Sequence, residues 1–134
     1  MLTGQKIVLA VTGSIAAYKS CELLRLLIKR GAEVSVIMTE AAQRFVTPLT
    51  FRALGAKRVF TSDWEQSTSV IPHIEATKEA NLLLVAPATA NILAKAAQGI
   101  ADDILSAAIL AARCPVAYAP AMNTYMWHNQ ATQR

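Results

Sequence analysis

The hydrophobic period of the chain changes twice between Lys6 and Met38, and that change constrains the fold more than any other feature. KIVLAVTGS, Lys6 to Ser14, is a continuous apolar run rich in Val and Ile that closes on Thr-Gly-Ser. Such a run is a buried strand meeting a tight turn. From Ala16 to Arg30 the apolar positions take helical spacing: Ala16, Leu23, Leu24 and Leu27 share a face, while Lys19, Glu22, Arg25 and Lys29 fall elsewhere. Gly31 stops this helix as a C-terminal cap. EVSVIM, Glu33 to Met38, is a second strand. Strand, helix and strand within about 35 residues make a parallel βαβ unit of right-handed connection.

The rest of the chain continues the alternation. Thr39 can cap a short helix running to Arg44, with Glu40 in its first turn. Pro48 opens another helix that ends at Gly55, and Lys57 to Thr61 reads as a short edge strand. Thr61 to His73 is polar and aperiodic, a functional or mobile loop, and a helical turn follows around Thr77 to Glu79. NLLLVAPAT, Asn81 to Thr89, is continuous and apolar, as a central strand covered on both faces must be. Helices are predicted over Asn91 to Ala97 and Asp102 to Ala112, the second with Asp102 as N-cap and Asp103 in its first turn. That second helix is apolar nearly all round and belongs in the core or in a subunit interface. Pro115 to Pro120 is the last strand. Residues 1–134 thus form one α/β domain, a three-layer Rossmann-like parallel sheet.

Composition excludes several roles. Charged residues make up 16% and hydrophobic residues 54%, so some apolar surface is expected to be covered by partner chains. No run reaches the roughly 18 apolar residues that span a bilayer. The first residues lack a signal-peptide cleavage site, which points to a cytoplasmic protein. The net charge of +4 is spread thinly, with no dense basic face and interleaved aromatics of the kind nucleic acid needs. Cys21 and Cys114 have no metal-ligand spacing and read as buried free thiols in a reducing compartment.

In a sheet of this type ligands bind beyond the carboxyl ends of the strands. The sequences there are TGS, MTE, APATAN and APAMN, all small or polar turn residues. TGSIAAYK offers backbone amides and a helix start that suit a phosphate, but a single glycine is not a dinucleotide fingerprint, and a plain capping turn fits equally well. Thr39 is either a helix cap or a hydroxyl for a ligand. APATAN, Ala86 to Asn91, divides the same way between a capped helix and a site. Asp102 and Asp103 favour capping, since adjacent acids at a helix start point apart. A lone histidine is more often structural than catalytic, but the place of His73 after the long polar loop favours proton transfer, which imidazole suits near neutral pH. Two separated histidines build neither a metal site nor a hydrolase triad.

Three stretches in order carry a resemblance: His73 in PHIEAT, PATAN at Pro87 to Asn91, and PAMNTYMW at Pro120 to Trp127. They resemble the signature motifs of the flavin-dependent cysteine decarboxylases, a catalytic histidine, a P-A-S-A-N-type turn and a P-x-M-N-x-x-M-W segment. Thr89 stands where serine is common and keeps the hydroxyl. TGSIAAYKS and MTEAAQRFV are similar to the first two turns of that family, so the likeness covers nearly all of the chain. Within the family the likeness is greatest to the branch acting on phosphopantothenoylcysteine in coenzyme A biosynthesis.

The resemblance implies FMN as cofactor, held by Gly13, Ser14, Ile15, Thr39, Pro87, Ala88, Thr89, Asn91, Asp103 and Ser106. It implies substrate contacts at Ala121, Asn123 and Met126, His73 as catalytic base, and no metal. It also implies a homotrimer, or four trimers as a dodecamer, with sites at subunit interfaces, and a synthetase domain fused to the decarboxylase. Family members continue with a further strand and a flap bearing a proton-donating cysteine. The chain is therefore expected to be an incomplete decarboxylase domain. The implied reaction oxidises the substrate thiol to a thioaldehyde, loses CO2 and returns the electrons. Alternatives are a peptidyl-cysteine decarboxylase and a non-catalytic FMN-binding regulatory subunit.

Overall fold

The structure is a computed structural model that describes residues 1–61 and 77–133. Five strands form one parallel sheet: β1 (Lys6–Val11), β2 (Glu33–Met38), β3 (Val59–Phe60), β4 (Leu82–Ala88) and β5 (Val116–Pro120). Their order is β3-β2-β1-β4-β5. The chain thus winds outward from β1 to one edge, then returns to the other side of β1, so the winding reverses between β1 and β4. The three-layer Rossmann-like expectation holds.

The helices are α1 (Ala17–Lys29), α2 (Pro48–Ala53), α3 (Ala90–Gln98), α4 (Ile104–Ala111), α5 (Thr124–His128) and α6 (Gln130–Gln133). The period of two along the strands sorts them into layers. Leu9, Val11, Val34, Val36 and Met38 face one way and pack with Ala17 and Leu24 of α1 and Phe51 of α2. Val8, Ala10, Leu83 and Val85 face the other way and meet Ile92 of α3 and Leu105 and Ala108 of α4. Burying a side chain such as Phe51 or Leu105 contributes about 1.5–3 kcal/mol each, so the sandwich of helices is what holds the sheet.

Local signals mostly landed where expected. Gly31 follows the C-cap of α1 with φ +96, and a Cβ there would lie 2.8 Å from Thr3 Oγ1. Thr47 caps α2 by accepting from the Thr50 amide, with Pro48 at the first helical position. Three expectations change. The segment after Thr39 is a single 3-10 turn, Ala41–Arg44, too short to be a helix of its own. The last predicted helix starts at Ile104 rather than Asp102; its Ile104, Leu105 and Ala108 are buried, and Leu110 is 63% exposed in the single chain. Cys21 and Cys114 are free but only half-buried, and burial pushes the Cys21 thiol up. The loop expected from Thr61 to His73, and His73 itself, lie outside the described residues apart from Thr61. Among the described residues no helix is long and apolar enough to cross a membrane.

One side chain joins the two strands at the reversal. Thr12, 2% exposed, donates its hydroxyl to the Pro87 carbonyl at 2.5 Å and accepts from the Thr89 amide at 3.1 Å. Ser20 of α1 donates to the neighbouring Ala86 carbonyl at 2.7 Å. The Ala86–Pro87 peptide is cis, and the pairing of β4 with β5 shifts register between Val85 and Ala88. Two buried carbonyls at the end of β4 are thus satisfied by hydroxyls, as buried backbone groups require. Thr12→Val should leave the Pro87 carbonyl and Thr89 amide unpaired and cost ~1–3 kcal/mol in urea unfolding. Thr12→Ser should recover most of that loss; equal stability of the Val and Ser variants would contradict the clasp.

Candidate functional site

Beyond the carboxyl ends of β1, β2 and β4 lies a cavity of about 630 Å³ lined by Thr12, Gly13, Thr39, Glu40, Ala41, Arg44, Thr89, Asn91, Ile92, Lys95, Asp102, Asp103 and Ile104. Its size falls within the range of small-molecule and cofactor sites, and it sits where the strand order reverses, the usual binding crevice of such sheets.

Each wall is fixed by a local device. The turn after β1 passes against the turn after β2: a Cβ on Gly13 would fall 2.5 Å from Ala41 Cβ. Glycine is needed there for close approach of two turns. Thr39 accepts from the Ala42 amide at 3.2 Å, and Thr89 caps α3 by accepting from the Ile92 amide at 3.3 Å. A hydroxyl that accepts in a cap keeps its own hydrogen to donate. Cap and ligand contact, the two readings left open for these threonines, are therefore compatible.

The opposite wall is charged. Asp103, not Asp102, is the N-cap of α4. Its backbone is extended, its Oδ1 accepts from the Ser106 amide at 2.7 Å, and Ser106 Oγ accepts from the Asp103 amide at 3.0 Å. This is a capping box with serine in the third position. Asp102, one residue outside, accepts a long hydrogen bond from the Ser106 hydroxyl at 3.4 Å and a shorter one from Lys95 at 2.9 Å, while Asp103 Oδ2 lies 3.7 Å from the same ammonium. The Lys95 hydrogen bond holds the Asp102 carboxyl below its usual range, and Asp102 in turn raises Lys95.

Of the ten residues expected to hold a cofactor, Gly13, Thr39, Thr89, Asn91 and Asp103 line the cavity. Ser14, Ile15, Pro87, Ala88 and Ser106 do not. Ser14 Oγ accepts from the Ala16 amide, Ile15 is 76% exposed, Pro87 and Ala88 are buried in the end of β4, and Ser106 is buried in its capping box. The substrate candidates lie beside this cavity on the segment after β5. The Ala121 amide donates to the Ala88 carbonyl at 3.0 Å, which ties PAMN to the end of β4. Asn123 caps α5 with Oδ1, accepting from the Met126 amide at 2.9 Å, and its Nδ2 remains as a donor. Met126 and Trp127 are 45% and 40% exposed. A smaller hollow of about 300 Å³ is lined by Pro120, Met122 and Trp127. Thr12, Glu40, Arg44 and Lys95 were not singled out from sequence. Thr12 carried the one available signal, a hydroxyl residue closing an apolar strand.

The profile of one family, described as Flavoprotein, matches residues 1–134. The chain belongs to the Flavoprotein family. Among curated relatives, the coenzyme A biosynthesis bifunctional protein CoaBC of Bacillus subtilis (strain 168) is 52% identical over 135 residues, covering 100% of this chain and 33% of the relative. The protein of the same name from Vibrio cholerae is 49% identical, covering 98% of this chain and 33% of the relative. The chain therefore spans about a third of the length of these relatives. Among solved structures, the FMN-dependent cysteine decarboxylase SpaF matches with TM-score 0.91 at 36% identity, covering 100% of this chain and 78% of that one. A PPC decarboxylase mutant complexed with pantothenoylaminoethenethiol matches with TM-score 0.80 at 33% identity, covering 97% and 74%.

The two aspartates should separate experimentally. Asp103→Ala removes the cap of α4 and should cost ~0.5–2 kcal/mol in urea unfolding. Asp102→Asn removes the charge from an exposed carboxyl paired with the part-buried Lys95, leaves the cap of α4 in place and should cost less. Since the folded carboxyl of Asp102 is depressed, its contribution is present above the unfolded carboxylate range and disappears as pH falls through the folded value. The gap between Asp102→Asn and wild type should therefore close in acid and persist at neutral pH; a gap independent of pH would refute the pairing.

Proposed function

We propose that this flavoprotein binds FMN in the β1–β4 crevice and carries the decarboxylation of 4'-phosphopantothenoylcysteine to 4'-phosphopantetheine. The observation that carries the reading is the convergence of two strand ends. The donor-lined cavity at Thr39, Thr89 and Gly13 adjoins the Asn123 segment through the Ala121–Ala88 hydrogen bond. The residues present fit the cofactor: hydroxyls that cap with their oxygens and keep protons to donate suit an anionic, polar-edged ligand, and the volume suits one of its size.

Gly13, Thr39, Thr89 and Asn91 would hold FMN, with Asp103 at the far wall. When bound, FMN supplies a hydride acceptor for the substrate's CH2–S unit, which creates the electron sink that loss of CO2 requires. His73 accepts or relays the thiol proton, a task suited to an imidazole. Asn123 Nδ2 donates to the carboxylate. A neutral donor orients that group without the ground-state stabilisation that a lysine would add, which would oppose its departure as CO2. Met122 and Trp127 flank the hollow beside it and exclude water where a partner surface closes over them.

Several further calls belong to this reading. The relatives' description as bifunctional supports a fused second activity in the native protein, a synthetase that supplies the cysteine adduct. Exposed Ile15, Tyr18, Leu26 and Leu110 support assembly into a homo-oligomer, a trimer or dodecamer, with sites shared between subunits. Two free thiols support a reducing, cytoplasmic setting. A peptidyl-cysteine decarboxylase among the solved structures, at 25% identity and TM-score 0.85, supports the second reading, action on a C-terminal peptidyl cysteine.

The purified native protein should be yellow and release FMN on denaturation; a colourless protein that takes up no added FMN removes the reading. Incubation with phosphopantothenoylcysteine and with cysteine-terminated peptides, followed by mass loss of CO2, separates the two substrate classes. His73→Asn should keep the flavin and abolish turnover, and near-normal turnover would exclude the histidine. Asn123→Asp keeps an N-cap acceptor, so α5 should stay folded and FMN bound while substrate binding falls through charge repulsion. Unchanged substrate affinity would exclude the carboxylate contact.

A further inference from the structure

We propose that Arg44 supplies the cationic contact for a phosphate monoester bound in the β1–β4 cavity, an inference that rests on the cofactor and substrate reading above. Five charged residues line that cavity: Glu40, Arg44, Lys95, Asp102 and Asp103. Lys95 is committed, with its ammonium 2.9 Å from Asp102 and 3.7 Å from Asp103. That wall holds two carboxylates against one ammonium and repels a dianion. Arg44 stands on the other wall, on the turn after β2. Among the described residues no carboxylate forms an ion pair with it, which leaves it the one uncommitted cation lining the cavity.

Its placement suits the task. The Ala41–Arg44 turn is a single short piece, pinned at one end by the Thr39 hydroxyl on the Ala42 amide and packed at Ala41 against Gly13. Thr39 and Arg44 therefore belong to one fixed unit, a hydroxyl with a hydrogen to donate and a guanidinium on the same rim. A guanidinium fork matches phosphate oxygens in pairs, and charge-assisted bonds of this kind are about twice as strong as neutral ones. Glu40 on the same turn opposes an anion, so Arg44 is needed to offset it as well as to bind. The phosphate has two sources in the proposed reaction, the FMN phosphate and the phosphate of the pantothenoyl substrate, and the structure assigns the chemistry that they share.

The test uses Arg44→Gln and Arg44→Lys in the native full-length protein, with urea unfolding to confirm that an exposed substitution leaves stability unchanged. Flavin fluorescence titration with FMN and with riboflavin gives one ratio. Steady-state KM for phosphopantothenoylcysteine and for pantothenoylcysteine gives another. Loss of Arg44 should shrink one of these two preferences about tenfold, with partial recovery in Arg44→Lys. A fall in FMN affinity with riboflavin unchanged assigns the cofactor phosphate. A rise in KM for the phosphorylated substrate alone assigns the substrate phosphate. If wild type shows both preferences and Arg44→Gln retains both, the Arg44 assignment is wrong while the flavin reading stands. If wild type binds no FMN and consumes no phosphopantothenoylcysteine, the functional reading fails and this assignment fails with it.

Discussion

The hydroxyl of Thr12 spans the gap between β1 and β4, and the rest of the site depends on that bridge. Parallel strands on either side of a reversal in winding send their following helices to opposite faces, so a crevice opens between them. Backbone pairing stops short of that opening: the register of β1 with β4 ends at Ala10 and Val85. Past it the Pro87 carbonyl and Thr89 amide have Thr12 as their partner. The threonine that starts α3 is thereby held against the turn that starts α1. The positions of Gly13, Thr89 and Asn91 around the cavity follow from one side chain whose hydroxyl is committed to the backbone on both sides.

The walls are made of residues with two duties. Thr39 and Thr89 accept from backbone amides and still have a proton to give. Asn123 does the same with an amide group, its oxygen on the Met126 amide and its nitrogen outward. Asp103 caps α4 and shares Lys95 with Asp102. The site needs few residues because the helix starts supply both its scaffold and its donors.

Much of this was legible in the sequence because it rests on periodicity. Continuous apolar runs at Lys6 and Asn81, with helical spacing between Ala16 and Arg30, specify a parallel sheet whatever the turns do. The ordered motifs PATAN and PAMNTYMW lie at the carboxyl ends of β4 and β5. Element ends were less legible. Asp102 and Asp103 are chemically alike, and only backbone conformation decides which one caps, so the start of α4 was misplaced by one position in its cap. Arg44 and Lys95 look like ordinary surface charges in a helical pattern; their place in the cavity depends on how distant turns meet, which local spacing does not encode. Ser14, Ile15, Pro87, Ala88 and Ser106 were expected as contacts through motif membership; they lie outside the lining of the cavity, in the turn after β1, the end of β4 and the cap of α4.

The double use of the capping oxygens has a consequence for the motion of the ligand-free protein. Helix ends fray, and a cap slows that fraying by holding the first amides. A ligand that draws on the Thr89 hydroxyl would also fix its rotor, so occupancy would tighten the first turn of α3. Solvent exchange of the Ile92 amide, held by Thr89 Oγ1, would then report occupancy of the cavity that Ile92 helps to line.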